Sequence, residues 1–333
     1  MNTDKLVSIV IPLYNAAAHI EATLTSIIRQ DYSNIEIVVV NDASTDSSPA
    51  IAQRLLENSG RKFQLINHAQ NLGVCAARNT GLNSAHGEYI CLCDNDDTEA
   101  PAFISTLLRE AEGKNADIVF CGISQYYESE NRFIDDPDTF TPDSLDPQDY
   151  LNAWADRKLY LWSVWNFLFR RELITANNLH FHEGCRLGED TEFVLKAIAV
   201  ASRVSYVDEK LYTYIHHAGQ ASTARKGDVM FHHIFLSRLR SCRFLLRHSH
   251  SRKVKNYALS FYLADVTIKQ FTRCASADDR EHFSRLKRTL KHKTLRRILL
   301  STSRFFFTAP GLFMKSVMLL YAPELYYMLR KGR

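Results

Sequence analysis

The segments VSIVIPL and IEIVVV, residues 7–13 and 35–40, are short, β-branched and apolar on both faces. A strand of that kind must be covered on both sides, the condition of a parallel sheet flanked by helices. Between the two, AAAHIEATLTSIIRQ sets Ile20, Leu24, Ile27 and Ile28 on one stripe, as a helix laid on that sheet requires. Ser48 and Pro49 then offer an N-cap and first helical position for AIAQRLLENS, which Gly60 closes. KFQLINH, CAARNTGLNSA, EYICLCD, AFISTLLREAEG and ADIVFCG continue the alternation. The expectation is an α/β domain with a mostly parallel central sheet flanked by helices.

Beyond this alternation the texture changes twice. Residues 128–147 are acidic and poor in apolar side chains, and are read as a surface excursion. WSVWNFLFRRELI follows, then GCRLGEDTEFVLKAIAVA, a helix with Glu189 and Asp190 in its first turn, then RVSYVDEKLYTYIHH, a pair of short strands. From Arg225 onward there are 24 Lys and Arg against 6 Asp and Glu, while residues 1–224 hold 17 against 31. So uneven a distribution separates a domain at 1–224 from a basic, amphipathic helical region at 225–333. Seven cysteines without metal-ligand spacing read as reduced thiols of a cytosolic protein, and the N-terminus is read as carrying no secretory signal.

In open α/β sheets ligands bind beyond the carboxyl ends of the strands. Strand one ends in Pro12, Tyr14 and Asn15; strand two in Asn41, Asp42, Ser44, Thr45 and Asp46. Strand three is followed by Asn71, Gly73, Arg78 and Asn79, and strand four by Asp94, Asn95, Asp96 and Asp97. Four successive strands thus deliver polar groups to one edge. Asp94 and Asp96, two apart on a segment read as extended, would point the same way and suit Mn2+ or Mg2+. Neither G-x-G-x-x-G nor G-x-x-x-x-G-K-[ST] occurs, which argues against hydride transfer and P-loop chemistry. At the start of its helix Asp190 is a candidate general base, although acids there also complement the helix dipole. Trp162 and Trp165 could stack on an acceptor sugar or belong to the core, and Glu189 is a further acceptor-side candidate.

VSIVIPLYNAAAHIEATLTSIIRQDYSNIEIVVVNDASTDSS resembles the opening of glycosyltransferase family 2 enzymes of the GT-A fold. The resemblance continues through NLGVCAARNTGL, YICLCDNDD (similar to the family's D-x-D region), WNFLFRRELI, GCRLGEDTEF and LYTYIHHAGQAST, over roughly residues 6–223. It implies that Pro12, Tyr14, Asn15 and Asp42 line the nucleotide pocket, Asp42 accepting from uracil, with Asn71, Arg78 and Asn79 near the donor. It implies Asp94 at the ribose or metal, Asp96 on the metal, Asp190 as base, and His217 (or His216) completing the metal or diphosphate site. Two positions depart from the family: Asn95 stands where Ser is common, and Phe167 where Lys is common.

The implied reaction is inverting transfer of a hexose or N-acetylhexosamine from a UDP-sugar to a glycan or lipid-linked acceptor in cell-surface polysaccharide synthesis, such as lipopolysaccharide, capsule or exopolysaccharide. A non-catalytic, membrane-docked nucleotide-sugar-binding scaffold is the alternative, and a sugar-1-phosphate nucleotidyltransferase would want a glycine-rich N-terminal loop that PLYNAAAHIE does not offer. The basic region alternates SRKVK, RLKRTLKHKTLRR and LRKGR with apolar runs too short to span a bilayer. It is read as an interfacial surface for anionic lipid, or else a bundle packed on the first domain, and nucleic acid is not expected. The expected location is cytoplasmic, peripheral on the inner membrane.

Overall fold

A computed structural model describes residues 5–135, 142–161, 163–218, 228–291, 293–305 and 309–330. The chain divides into two compact units, Met1–Arg225 and Lys226–Arg333.

The first unit is built on a mixed sheet with strand order β3-β2-β1-β4-β8-β6-β9-β5. Strands β1 (Val7–Leu13), β2 (Ile35–Asn41), β3 (Lys62–Asn67) and β4 (Tyr89–Leu92) run parallel, joined by helices α1 (Ile20–Ile28), α2 (Ser48–Glu57) and α3 (Val74–Ser84). The two-faced apolar pattern has its cause here. Val7, Ile9, Ile11, Ile37 and Val39 pack into the same core cluster as Ile20, Leu24 and Ile27 of α1, while Val10 faces α3. Gly81 is the reason α3 lies so close: a Cβ there would come within 2.2 Å of Val10 Cγ1. Pro12, which has no N–H to give, falls where β1 has outrun β4, since their pairing ends at Val10↔Leu92 while pairing with β2 continues to Leu13↔Asn41.

Past β4 the sheet stops being simply parallel. Strand β8 (Phe167–Arg170) enters antiparallel between β4 and β6 (Ile118–Tyr127), so β6 keeps the direction of the first four strands without touching them. Helix α4 (Phe103–Lys114) precedes β6, β7 (Arg132–Asp135) folds back on it, and α5 (Pro147–Ala155) follows. RVSYVDEKLYTYIHH, expected as two short strands, is the single strand β9 (Val204–His216). It pairs parallel with β6 throughout, and the irregularity lies in register shifts on either side of Gly122, opposite the exposed Asp208, Glu209 and Lys210. On its other side β9 takes the two-residue strand β5 (Thr98–Glu99). Helices α6 (Arg171–Ala176) and α7 (Glu189–Val200) complete the unit.

The second unit is helical: α8 (Asp228–His248), α9 (Arg252–Tyr257), α10 (Leu263–Ser276), α11 (Arg280–Thr289), α12 (Lys293–Leu300), α13 (Pro310–Tyr321) and α14 (Pro323–Arg330). A π-turn, Ala258–Tyr262, joins α9 to α10. Pro310 and Pro323 open the last two helices, where a missing N–H costs nothing. Its core includes Leu263, Ile268, Phe271, Phe283, Leu299, Leu319 and Tyr326. Phe283 meets Phe271 edge-on at 5.4 Å and Tyr327 at 4.8 Å. Each such ring contributes roughly 2–3 kcal/mol by burial. Among the described residues no helix is long and apolar enough to cross a membrane.

Candidate active site

The carboxyl ends of β1 to β4 share one edge, and the loops leaving them are laced together. Asn15, in the left-handed region at φ 48°, accepts from the Thr45 amide at 2.8 Å, and its own amide donates to Ser44 Oγ at 3.1 Å. Asp46 accepts from the Ala17 amide at 2.9 Å, and Asn41 Nδ2 donates to Asn67 Oδ1 at 2.8 Å. Asp42 is buried beneath the next loop. Its Oδ1 bonds His68 Nδ1 at 2.7 Å and the Leu72 amide at 2.9 Å, and its Oδ2 accepts from Gly73 N at 2.7 Å. His68 in turn reaches Thr80 Oγ1 through Nε2 at 3.0 Å. Gly73, at φ 90°, makes the turn that presents its amide. Tyr14, Asn71 and Leu72 are exposed, and Pro12 is buried in β1.

Arg78 occupies the centre. It lies one turn before Gly81 on α3, so the close packing of that helix carries it toward the strand ends. Its guanidinium is buried and donates from Nη2 to Asp94 Oδ1 at 2.7 Å and from Nη1 to Asp190 Oδ1 at 2.5 Å. The Phe181 ring lies 5.2 Å away, and Nε is buried with no partner among the described residues. Burial opposes the guanidinium charge, but Asp190, Asp94 and Glu189 together override it and hold the group firmly cationic.

Asp190 comes to this point because Gly188, at φ 84°, turns the chain into α7. Its side chain is 18% exposed. Burial first, then the Glu189 and Asp94 charges, push its carboxyl up to about 7 against the pull of Arg78. Glu189, beside it, has Oε2 buried with no partner among the described residues. Sequence reasoning assigned the guanidinium to the donor; in the structure it joins two carboxylates 96 positions apart in the chain.

The acidic run after β4 is not an extended segment with its carboxylates aligned. It turns at Asn95 and Asp96, both turn formers, and three aspartates go three ways. Asp94 faces Arg78. Asp96 Oδ2 meets His217 Nε2 at 2.9 Å. Asp97 is fully buried and accepts from Tyr212 Oη at 2.9 Å and from the Ile215 amide at 2.8 Å, so it fastens the run to β9. The charge crowding is therefore answered partly from within. Burial and the Asp94 charge raise Asp96, and burial with Asp96 and Asp94 raises Asp97 well above the carboxylate range. Burial opposes the His217 charge, but the Asp96 hydrogen bond outweighs it. The role of Asp97, and those of His68 and Tyr212, were missed, and no local pattern sets Asp97 apart from Asp94 and Asp96.

His217 Nδ1 lies 3.1 Å from the Ala218 carbonyl, which orients the ring and leaves Nε2 to face Asp96. The ring also meets that of His19 at a tilt of 32°, with centroids 3.9 Å apart. Among the described residues no three His, Cys, Asp or Glu side chains form a cage. The carboxylate of Asp96 and the imidazole of His217, which converge, nevertheless suit Mn2+ or Mg2+, which commonly take few protein ligands and complete their shell with water and substrate phosphate. His216 is turned elsewhere, bonded to Gln125 Oε1 at 2.7 Å and stacked on Tyr127.

Several expected site residues sit apart. Asn79 spends both ends of its amide on the Phe181 backbone, at 2.8 Å each way, which makes it a strap between α3 and the chain before α7 rather than a free donor-binding group. Trp165 is buried, stacked between Tyr212 at 4.2 Å and Tyr214 at 5.5 Å; its large ring fills the core, so it is no sugar platform. Phe167 is likewise core, stacked on Phe120. Trp162 lies outside the described residues.

Residues 8–177 match the Glycosyl transferase family 2 model. The uncharacterized glycosyltransferase EpsJ of Bacillus subtilis is 39% identical over 217 residues, 63% of this chain and 60% of EpsJ. The chain thus spans less than two thirds of that relative's length. The solved structure of S. aureus TarS 1–349 in complex with UDP-GlcNAc superposes with a TM-score of 0.73 at 19% identity, covering 98% of this chain and 92% of TarS 1–349. The mannosyltransferase PcManGT from Pyrobaculum calidifontis, in complex with GDP-Man and Mn2+, gives 0.56 at 18% identity, covering 98% and 88%. At those identities the two structures establish likeness of fold.

Proposed function

The chain belongs to glycosyltransferase family 2, with the GT-A fold, and from that membership we propose that it is an inverting glycosyltransferase. It moves a hexose or N-acetylhexosamine from a UDP-sugar to a hydroxyl of a glycan or lipid-linked saccharide. The observation that carries this reading is the Arg78 fork, which holds Asp94, at the end of β4, and Asp190, at the start of α7, one guanidinium apart. A donor-side acid and an acceptor-side base within one buried cluster suit a single in-line displacement.

Tyr14 and Pro12 line the base pocket, and Asp42 Oδ2, with one donor already, takes the uracil N–H. UDP-GlcNAc in TarS supports the uridine donor, and Mn2+ in the mannosyltransferase supports a divalent ion. Held by Asp96 and His217, with water and substrate phosphate completing its shell, that ion would supply positive charge for the departing diphosphate. Asp190 removes the proton of the acceptor hydroxyl, and that oxygen forms its bond to the anomeric carbon from the face opposite the diphosphate. The anomeric C–O bond breaks with its electron pair on UDP, and the configuration inverts. A carboxyl near 7 is a better base than an ordinary aspartate, half ionised at that pH and largely ionised about one unit above it. Transfer therefore rises with pH through about 7 and is lost below it. An acceptor used in cell-surface polysaccharide synthesis puts the reaction at the cytoplasmic face of a membrane.

Asp190→Asn is the deciding variant. It keeps the shape and should lower the transfer rate by about 10²–10⁴-fold while UDP affinity by calorimetry changes little. Turnover near that of the parent would remove Asp190 as the base.

A further inference from the structure

The last two helices turn a row of apolar side chains outward. Met314 is 54% exposed, Tyr321 66%, Leu325 46% and Met328 65%, with Met318 half-buried between the first two. Met314, Met318 and Tyr321 share one stripe of α13, and Leu325 and Met328, with Leu329 48% exposed beside them, share one face of α14; the chain leaves helical geometry between the two, at Ala322. The opposite stripe, with Ser316, Leu319, Leu320, Tyr326 and Tyr327, is the one that packs into the unit. Scattered apolar residues on a surface need no explanation, but exposed apolar faces on two consecutive helices do.

Its charge setting is one-sided. Between residues 310 and 330 the sole acid is Glu324, and it is engaged by Lys287 and, at 3.7 Å, by Arg280. Asp265 is held by Arg238 at 3.2 Å and Lys269 at 3.0 Å, and Asp278 accepts from Tyr327 Oη at 2.6 Å. Arg288 and Lys291 are exposed, and so are Lys293, Arg297 and Leu300 along one stripe of α12, which packs against α13. The acids are thus engaged while a basic excess stays in solvent.

We propose that the outer face of α13 and α14, with the basic stripe of α12, docks on a bilayer surface rich in anionic headgroups. Apolar side chains enter the headgroup boundary and Lys and Arg meet the phosphates, and helices this short lie on the surface rather than cross it. The surplus of positive charge favours lipid over a second copy of the chain, which would bring like charge against like. The inference concerns where the protein is held and stands apart from the transfer chemistry.

The test is co-sedimentation of the full chain with phosphatidylglycerol–phosphatidylcholine vesicles, without donor or acceptor. The parent should bind, at least about tenfold more weakly to pure phosphatidylcholine, and should be released by salt. The double variant Met314→Asp/Leu325→Asp should lose binding about tenfold or more with an unchanged far-UV circular dichroism spectrum. Lys293→Glu/Arg297→Glu should weaken binding and its salt dependence. Absence of parent binding, equal binding to neutral vesicles, or insensitivity to salt would overturn the proposal without recourse to any variant. So would equal binding by the aspartate variant. A parent dimer split by those aspartates, with no vesicle binding, would make the face a contact between copies instead.

Discussion

In the first unit buried charged side chains reach across the fold; in the second, several buried hydroxyls bond within their own helical turn, while the tyrosines Tyr326 and Tyr327 make long-range bonds. Arg78, Asp97, Glu36 and Asp42 each join segments more than 15 residues apart. Buried Ser241, Thr267 and Ser316 instead donate to the carbonyl four residues back, at 3.0 Å each. The ion pairs of the second unit, such as Arg238–Asp265 and Lys287–Glu324, lie at least a fifth open to water. The contrast teaches where low dielectric is being used. Charges withdrawn from water interact strongly and shift one another's proton affinity, which chemistry requires and scaffolding does not.

The sharpest way to break the contrast is to remove one arginine from each unit. Arg78→Met leaves Asp94 and Asp190 without their counter-ion and should cost about 3–5 kcal/mol in urea unfolding. Arg238→Met, whose partner Asp265 keeps Lys269, should cost about 1 kcal/mol. Equal losses would erase the distinction. Next in size, Asp96→Ala should weaken UDP binding about 10–100-fold in Mn2+ and scarcely at all in chelator. Parent affinity that ignores the metal would remove Asp96 from that role.

A third effect comes from Glu99. Its carboxylate has no hydrogen-bond partner among the described residues, and burial pushes it up to about 8, the Cys93 thiol pulling the other way. The unfolded chain releases this proton first, near 4.5. Between there and about 8 the native state binds more protons, so this group's contribution to stability falls as pH rises. Glu99→Gln should therefore have a higher Tm than the parent in alkaline buffer and the same Tm in acid. An identical pH dependence for both would show Glu99 is not buried as described. The smallest expected effect is Glu324→Gln, at about 0.5 kcal/mol or less because the pair is exposed; a larger loss would mean that the helical unit leans on its ions after all.

The α/β alternation was legible because two-faced apolar strands admit few environments, and β1 to β4 fall where that pattern placed them. Strand β8 was not, since nothing in FLFR says that it will enter antiparallel and separate β4 from β6. Strand β9 read as two because Asp208, Glu209 and Lys210 look like a turn, whereas a register shift absorbs them within one strand. Strand-end chemistry showed which loops would gather, but not which side chain answers which. Asp94, Asp96 and Asp97 look alike in sequence, and their division among Arg78, His217 and Tyr212 depends on partners up to 121 residues distant. Asn79 and Trp165 illustrate the converse, since residue types suited to ligand contact serve equally well as strap and core.

The position of β9 bears on how the chain is made. It is the last strand among the described residues, yet it takes an interior place between β6 and β5. A nascent chain that has emerged only through residue 203 must keep that slot open, with Asp97 and Glu99 lacking their cover. Non-local pairing of this sort closes slowly. His217 follows immediately after the strand, so the cluster at the sheet edge is completed only once this strand has paired, and ribosome-bound chains ending before it should be the ones that call on chaperones.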